Sequence, residues 1–266
     1  MTKGCDRVVT PLLRKFYFWT GEKRMQEIRI LTAGDSSILI EFGKEISPEI
    51  NRKITSTVQM MKEQHIEGVV DVIPAFCSLL INYDPRVISY GEIKERLKKL
   101  VRFEVKTGEE RKRIWEIPVC YGGEYGPDIA NIAEHAGLTE EEVISIHSSR
   151  DYLIYMLGFL PGFCYLGGLD ERIHTPRLAN PRIKINAGSV GIGGSQTGIY
   201  PLDSPGGWQL MGMTPVKTYD PKREVPILVE AGDYIRFVPV DEDEFKRIKE
   251  LADKDEYQCV VHEGEV

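Results

Sequence analysis

Apolar and polar positions along the first hundred residues fall into short, clearly bounded runs. Residues 28–31 and 36–42 read as two strands joined by the turn-rich link Thr32-Ala33-Gly34-Asp35. Residues 48–64 place Ile50, Ile54, Val58 and Met61 on one helical face, with Pro48 suited to the first turn. Gly68 breaks that pattern. Residues 69–75 and 78–83 read as two further strands, stopped by Asp84-Pro85. A second helix over 89–101 turns Ile93, Leu97, Leu100 and Val101 inward. The order ββαββα predicts one α+β layer pair of about 80 residues.

The texture then changes. Residues 104–113 are polar and highly charged, which suits a linker. Residues 114–121 form a strand pattern, and two short helices follow over 127–136 and 140–148. The second begins with a capping box, Thr139 followed three residues later by Glu142. Beyond Asp151 come short β-like pieces divided by Gly and Pro as far as Val240, a spacing that suggests a barrel or a sandwich. Residues 241–254 read as a charged helix and 257–262 as an edge strand. The predicted division is an N-terminal extension (1–26), an α+β domain (27–103), a linker (104–113), a mostly-β barrel domain (114–240) and a C-terminal helix and tail (241–266).

Composition narrows the class. The 266 residues are 42% hydrophobic and 28% charged, a globular balance. The net charge of −7 argues against a general nucleic-acid or acidic-lipid binder. No apolar run approaches the roughly 20 residues of a membrane helix. The five cysteines are scattered and contain no C-x-x-C, which fits neither a disulfide framework nor a zinc site. The expectation is a cytoplasmic protein. Residues 1–26 hold six Lys and Arg against two Asp and Glu, and Met25 directly precedes a strand pattern. Met25 is therefore the expected biological start, with the preceding residues an addition.

Candidate chemistry concentrates in one region. Twelve of the 25 glycines lie between Gly158 and Gly212. They serve either close backbone approach to a ligand or the tight corners of a small barrel. From Arg172 to Leu202 there is no carboxylate, yet the stretch holds Arg172, Arg177, Arg182 and Lys184. Arg177 and Arg182 each follow a proline and offer planar forks for carboxylate or phosphate. The alternative is that these cations pair with acids elsewhere. Ser189, Ser195, Gln196, Thr197, Tyr200, Ser204, Trp208 and Gln209 supply donors nearby. His174 reads as structural. Gly191-Ile192-Gly193-Gly194 is neither a Walker A loop nor a dinucleotide fingerprint, and no metal-ligand spacing or nucleophile elbow is present.

The run Leu157-Gly158-Phe159-Leu160-Pro161-Gly162-Phe163-Cys164-Tyr165-Leu166 resembles the GF-x-PGF-x-YL signature of the allophanate hydrolase subunit 1 family. Further pieces agree in order: Thr175-Pro176-Arg177, Asn180-Pro181-Arg182, Ala187-Gly188-Ser189-Val190-Gly191-Ile192, Gln196-Thr197-Gly198-Ile199-Tyr200-Pro201, Ser204-Pro205-Gly206-Gly207-Trp208 and Met213-Thr214-Pro215. Gly34-Asp35-Ser36 and Val72-Ile73-Pro74-Ala75-Phe76-Cys77-Ser78 also fit. Cys164 stands where the family often has proline, and Phe76-Cys77 replaces a commoner tyrosine with a polar residue.

The resemblance implies an α+β domain followed by a cyclophilin-like barrel. It implies one component of an ATP-dependent 5-oxoprolinase that opens 5-oxoproline to L-glutamate. The implied partners are a barrel protein like the C subunit of that enzyme and a third protein like its A subunit. ATP is then a co-substrate of the complex, and no metal site is expected in this chain. Two other readings stay open: an inhibitor of a sporulation-type histidine kinase, and a carboxyltransferase component acting on urea or allophanate with a biotin-carrying partner. For the lactam reaction, Arg177 and Arg182 are expected to hold the substrate carboxylate or a phosphoryl group. Gln196 and Tyr200 complete the expected catalytic set. Ser189, Thr197, Ser204, Trp208 and Gln209 are the expected substrate-binding residues, with Trp208 an apolar wall.

Overall fold

The computed structural model describes residues 28–102 and 111–265. The expected extension and the expected biological start at Met25 lie outside the described residues, as do 104–110 of the expected linker and residues 27 and 103 at the edges of the expected α+β domain.

Two strands, β1 (Arg29–Thr32) and β2 (Ser37–Glu41), lead into helix α1 (Pro48–Gln64). Ser47 caps α1 by accepting from the Ile50 amide at 3.2 Å, and Pro48 occupies the first turn. Strands β3 (Val69–Pro74) and β4 (Ser78–Tyr83) and helix α2 (Tyr90–Arg102) follow. The strands form an antiparallel sheet in the order β1-β2-β4-β3. Ile50, Ile54 and Met61 of α1 and Ile93, Leu97 and Leu100 of α2 pack on Ile38, Ile40, Leu79 and Ile81 of the sheet. Both helical faces are those the spacing predicts, with Val58 and Val101 at their margins.

A second sheet begins with β5 (Arg111–Tyr121). Helices α3 (Ile129–Ala136) and α4 (Glu140–Ser148) come next, and the Thr139–Glu142 capping box is formed. Then follow β6 (Asp151–Leu157), β7 (Cys164–Gly167), β8 (Arg182–Ile185), β9 (Ser189–Gly193), β10 (Gln196–Ile199), β11 (Ser204–Gly206), β12 (Gln209–Met213) and β13 (Tyr234–Pro239). Seven of these run β12-β9-β10-β7-β6-β13-β5, and β5 pairs back onto β12 to close a barrel. Closure brings Gly212 opposite Tyr121, where a Cβ would stand 2.7 Å from Val119 Cγ1. Only glycine lets the two strands meet there. β8 and β11 pair with each other as a separate ribbon. Inside the barrel, Ile117, Val119, Tyr152, Ile154, Leu166, Val190, Ile192, Ile199, Ile235 and Phe237 form the core, joined by Ile132 of α3 and Val143 of α4.

Two boundaries differ from the sequence reading. β5 starts at Arg111, inside the span expected as linker. The tail strand, expected over 257–262, is β14 (Val261–Glu265). One pairing explains both: β14 lies antiparallel on β5, with Glu265 opposite Arg111 and Val261 opposite Trp115. Each strand supplies the ladder partner that makes the other regular. Between them in sequence, α5 (Glu242–Asp253) is capped by Asp241.

The two sheets meet at a defined seam. The Asn51 side-chain amide on α1 donates to the Tyr155 carbonyl of β6 at 2.9 Å, and Phe76 packs its ring against those of Tyr155 and Tyr165. Among the described residues no helix is long and apolar enough to cross a membrane.

Candidate functional site

Strand alternation decides which candidate residues share a surface. On β9, Val190 and Ile192 enter the barrel core, so Ser189, Gly191 and Gly193 face outward. On β10, Thr197 and Ile199 point inward, while Gln196 and Gly198 face outward opposite Gly193 and Gly191.

Trp208 lies across this outer surface. A Cβ at Gly193 would stand 2.3 Å from its Nε1, and one at Gly198 would stand 3.1 Å from its Cζ3. Bare backbone at these two positions is what lets an indole rest on the sheet. Phe163, Ile185, Tyr200 and Leu210 surround it as a small apolar cluster apart from the barrel core. Phe163 and Tyr200 meet the indole edge-on, at 5.6 and 6.0 Å between centroids.

The four cations of the carboxylate-free run divide three to one. Arg172 pairs with Asp170 at 2.9 Å and Lys184 with Asp203 at 2.8 Å; both acids stand just beyond the ends of the run. Arg182 donates to the buried carboxylate of Asp128 at 2.6 Å, from the start of α3. Arg182 is thus neutralised and is not a free cation for an anion, contrary to its expected role. Arg177 is different. Its guanidinium carbon lies 5.9 Å from the Trp208 ring centroid, and it forms no ion pair among the described residues. Stacking on an indole holds a cation in place while leaving its charge open.

Backbone contacts pin the loop that carries Arg177. Thr175 and Gly194 exchange amide hydrogen bonds at 3.2 and 2.8 Å, and the Leu178 amide donates to the Gly207 carbonyl at 2.7 Å. The Gln209 side-chain amide donates to the Pro176 carbonyl at 3.2 Å, and its Oε1 is buried without a partner. Burial pushes the Tyr200 phenol up, opposed by a hydrogen bond with the Trp208 backbone and by the charges of Arg177 and Arg182. The Ser204 hydroxyl is also buried and unpartnered. Arg177, Tyr200 and Trp208 thus converge on one surface, whereas Gln209, expected beside them, lies opposite Ile192 on β12 and so turns to the other face of the sheet, touching the Arg177 loop only through the Pro176 carbonyl. Ser189 and Gln196 share the outward face on β9 and β10.

Thr197 is not among them. It points into the barrel, 2.8 Å from His147 Nε2, and donates to the Gly191 carbonyl at 3.1 Å. His174 Nε2 sits 3.3 Å from the Leu169 carbonyl, in keeping with a structural histidine.

Sequence reasoning missed Asp128 and His147. Asp128 was visible as a helix-start residue after Pro127, but nothing local pointed to Arg182, which lies 54 residues away. His147 read as part of a short helix, and its partners come from β5 and β10. Among the described residues, no group of three or more His, Cys, Asp and Glu is placed to hold a metal ion.

The family model of the carboxyltransferase domain, subdomain C and D, matches residues 28–229, which contain the whole Arg177–Trp208 surface. The chain belongs to this family. It is 43% identical over 227 residues to the 5-oxoprolinase B subunit of Bacillus subtilis (strain 168), covering 82% of this chain and 95% of that protein. It is also 43% identical over 219 residues to the protein of that name from Escherichia coli O157:H7, covering 82% and 99% respectively. The crystal structure of the K. lactis urea amidolyase matches 90% of this chain with a TM-score of 0.75 at 24% identity. This chain spans 16% of that one, and the likeness is one of fold. The resemblance carried by the Gly- and Pro-rich motifs and the homology agree: this is a carboxyltransferase-domain protein related to 5-oxoprolinase B subunits.

Proposed function

We propose that this chain is the B subunit of an ATP-dependent 5-oxoprolinase. It works with a barrel protein of the C-subunit type and a third protein of the A-subunit type to convert 5-oxoproline to L-glutamate. The observation that carries the reading is the 43% identity to a named 5-oxoprolinase B subunit over nearly the whole of that relative. The barrel is then of the cyclophilin-like kind.

The surface chemistry supports it. 5-Oxoproline is a small ring with a carboxylate and an unstrained amide. ATP supplies activation by phosphorylating the lactam oxygen. Arg177 binds the carboxylate, because its charge is open and its guanidinium lies over the Trp208 ring. Trp208 and Tyr200 form a wall for the ring methylenes. Gln196 and the Tyr200 hydroxyl donate to the oxygen where charge develops, Ser204, with its unpartnered buried hydroxyl, orients the amide, and Gln209 acts by holding the Arg177 loop through the Pro176 carbonyl. Ser189 borders the same face.

The test is co-expression with candidate barrel and third subunits, followed by glutamate release from 5-oxoproline with and without ATP. ATP-dependent release by the three-part complex is expected; a pure complex without it overturns the reading. The carboxyltransferase name of the family, together with a urea amidolyase among the similar proteins, supports a second reading, carboxyl transfer to a urea derivative. Co-purification with a biotin-carrying protein would replace the first reading by the second. Capture of a histidine kinase alone would point to a regulatory inhibitor.

A further inference from the structure

Asp128 stands in the N-cap position of α3, yet its carboxylate makes no hydrogen bond to its own helix. An aspartate there ordinarily accepts from the amides of the first turn. Here both oxygens reach far along the chain. Oδ1 accepts from Arg182 Nη2 at 2.6 Å, and Oδ2 accepts from the Leu210 amide at 2.7 Å. The Asp128 amide also donates back to the Leu210 carbonyl at 2.8 Å. Arg182 passes the contact on, with Nη1 donating to the Trp208 carbonyl at 3.4 Å.

These contacts bracket one residue. Trp208 is held by its carbonyl and Leu210 by its amide, so Gln209 between them is fixed on both sides. Gln209 in turn holds the Pro176 carbonyl, and the next residue, Arg177, rests on the indole of Trp208. A serine or asparagine at 128 has neither the charge for Arg182 nor two carboxylate oxygens for the two donors. The buried carboxylate is tolerable because it is paired and hydrogen-bonded.

We infer that Asp128 is a positioning residue of the proposed substrate site, acting through Arg182 and the Trp208–Leu210 backbone to set where the Arg177 guanidinium stands. This deepens the 5-oxoprolinase reading and rests on it for the substrate, but the clamp itself has its own readout.

The experiment uses Asp128→Asn, Arg182→Gln and the double variant, in the reconstituted complex and in the full chain alone. In the complex, each single variant should raise KM for 5-oxoproline about tenfold with a much smaller change in kcat. The double variant should be no worse than either single one, because the residues act as one unit. In the full chain alone, phenylglyoxal labelling of Arg177, followed by mass spectrometry, should run about threefold faster in Asp128→Asn, with labelling of the exposed Arg86 unchanged. Unchanged Arg177 labelling overturns the inference, as does an unaltered KM or an additive double variant. If the wild-type complex releases no glutamate, the functional reading fails, while the labelling result still decides the clamp.

Discussion

His147 Nε2 and Thr197 Oγ1 stand 2.8 Å apart inside the barrel, and their neighbours fix which one donates. Thr197 gives its hydroxyl hydrogen to the Gly191 carbonyl at 3.1 Å. It must then accept from His147, so the imidazole proton sits on Nε2. Nδ1 is left as an acceptor and takes the Tyr121 hydroxyl at 2.8 Å. Phe237 stacks on the ring with centroids 4.5 Å apart. The result is a one-directional chain, Tyr121 to His147 to Thr197 to Gly191, that ties β5, α4, β10 and β9 together across the core. It requires a neutral imidazole.

The pH dependence of stability should report that chain. Full burial lowers the His147 pKa from 6.5 to about 3. The unfolded chain therefore takes up a proton as pH falls below 6.5, while the folded state refuses it until about 3. The contribution is fully present above 6.5 and is lost on acidification through that window. By pH 5 the loss from this group should be about 2 kcal/mol. Urea unfolding midpoints at pH 7.5 and 5.0 for wild type and His147→Gln would measure it. Equal pH slopes in the two proteins would show that His147 does not titrate this way.

Thr197→Val keeps the volume of the side chain and removes its hydroxyl. The Nε2–H of His147 is then buried without an acceptor, at a cost of about 1–3 kcal/mol. KM for 5-oxoproline in the complex should not change, because position 197 faces away from Trp208. A raised KM with undiminished stability would return Thr197 to the substrate surface.

Much of the fold was legible because local pattern and tertiary need agreed. The α1 limits match the reading over 48–64, where Ser47 and Pro48 start the helix and Ile50, Ile54 and Met61 define its face. The start of β5 was misjudged because Arg111 and its neighbours are polar; their regularity comes from β14, at the far end of the sequence and invisible to local pattern. The site shows the same limit. Composition correctly isolated a run without carboxylates, but its ends and α3 return Asp170, Asp203 and Asp128 to it in space. Parity along β10 separates Gln196 from Thr197, and that assignment needed the barrel interior to be known. The glycine run had two readings, ligand approach and tight corners; at Gly193 and Gly198 its reason is a third, the resting place of an indole.

Arg177→Ala and Arg182→Ala should fail in different ways. Arg177 is exposed and makes no ion pair among the described residues, so its removal should leave thermal stability nearly unchanged. It should lower kcat/KM in the complex about tenfold, on the order of 1.4 kcal/mol. Arg182→Ala leaves the buried Asp128 carboxylate without its cation, and it should lower stability and, chiefly through a raised KM, kcat/KM. Differential scanning calorimetry beside steady-state kinetics separates the two. Identical behaviour of the two variants would mean that the structural distinction between them carries no functional weight.

Gly193→Ala tests the surface from below. The added methyl would meet Trp208 at 2.3 Å from Nε1, too close for any rotamer adjustment of alanine to relieve. The indole must lift, and Arg177, which stacks on it, must move with it. The β9 backbone has no left-handed requirement at this position, so the strand itself accepts alanine. The expected outcome is therefore a folded barrel with a displaced tryptophan: increased acrylamide quenching of Trp208 against a Trp208→Phe reference, and weaker 5-oxoproline binding in the complex. Gly34→Ala is not a suitable control, because its φ of +72° adds backbone strain. Gly91→Ala is suitable, since its added methyl meets nothing within 4 Å and its backbone is helical. If Gly193→Ala binds 5-oxoproline as tightly as Gly91→Ala does, Trp208 is not the wall of the site.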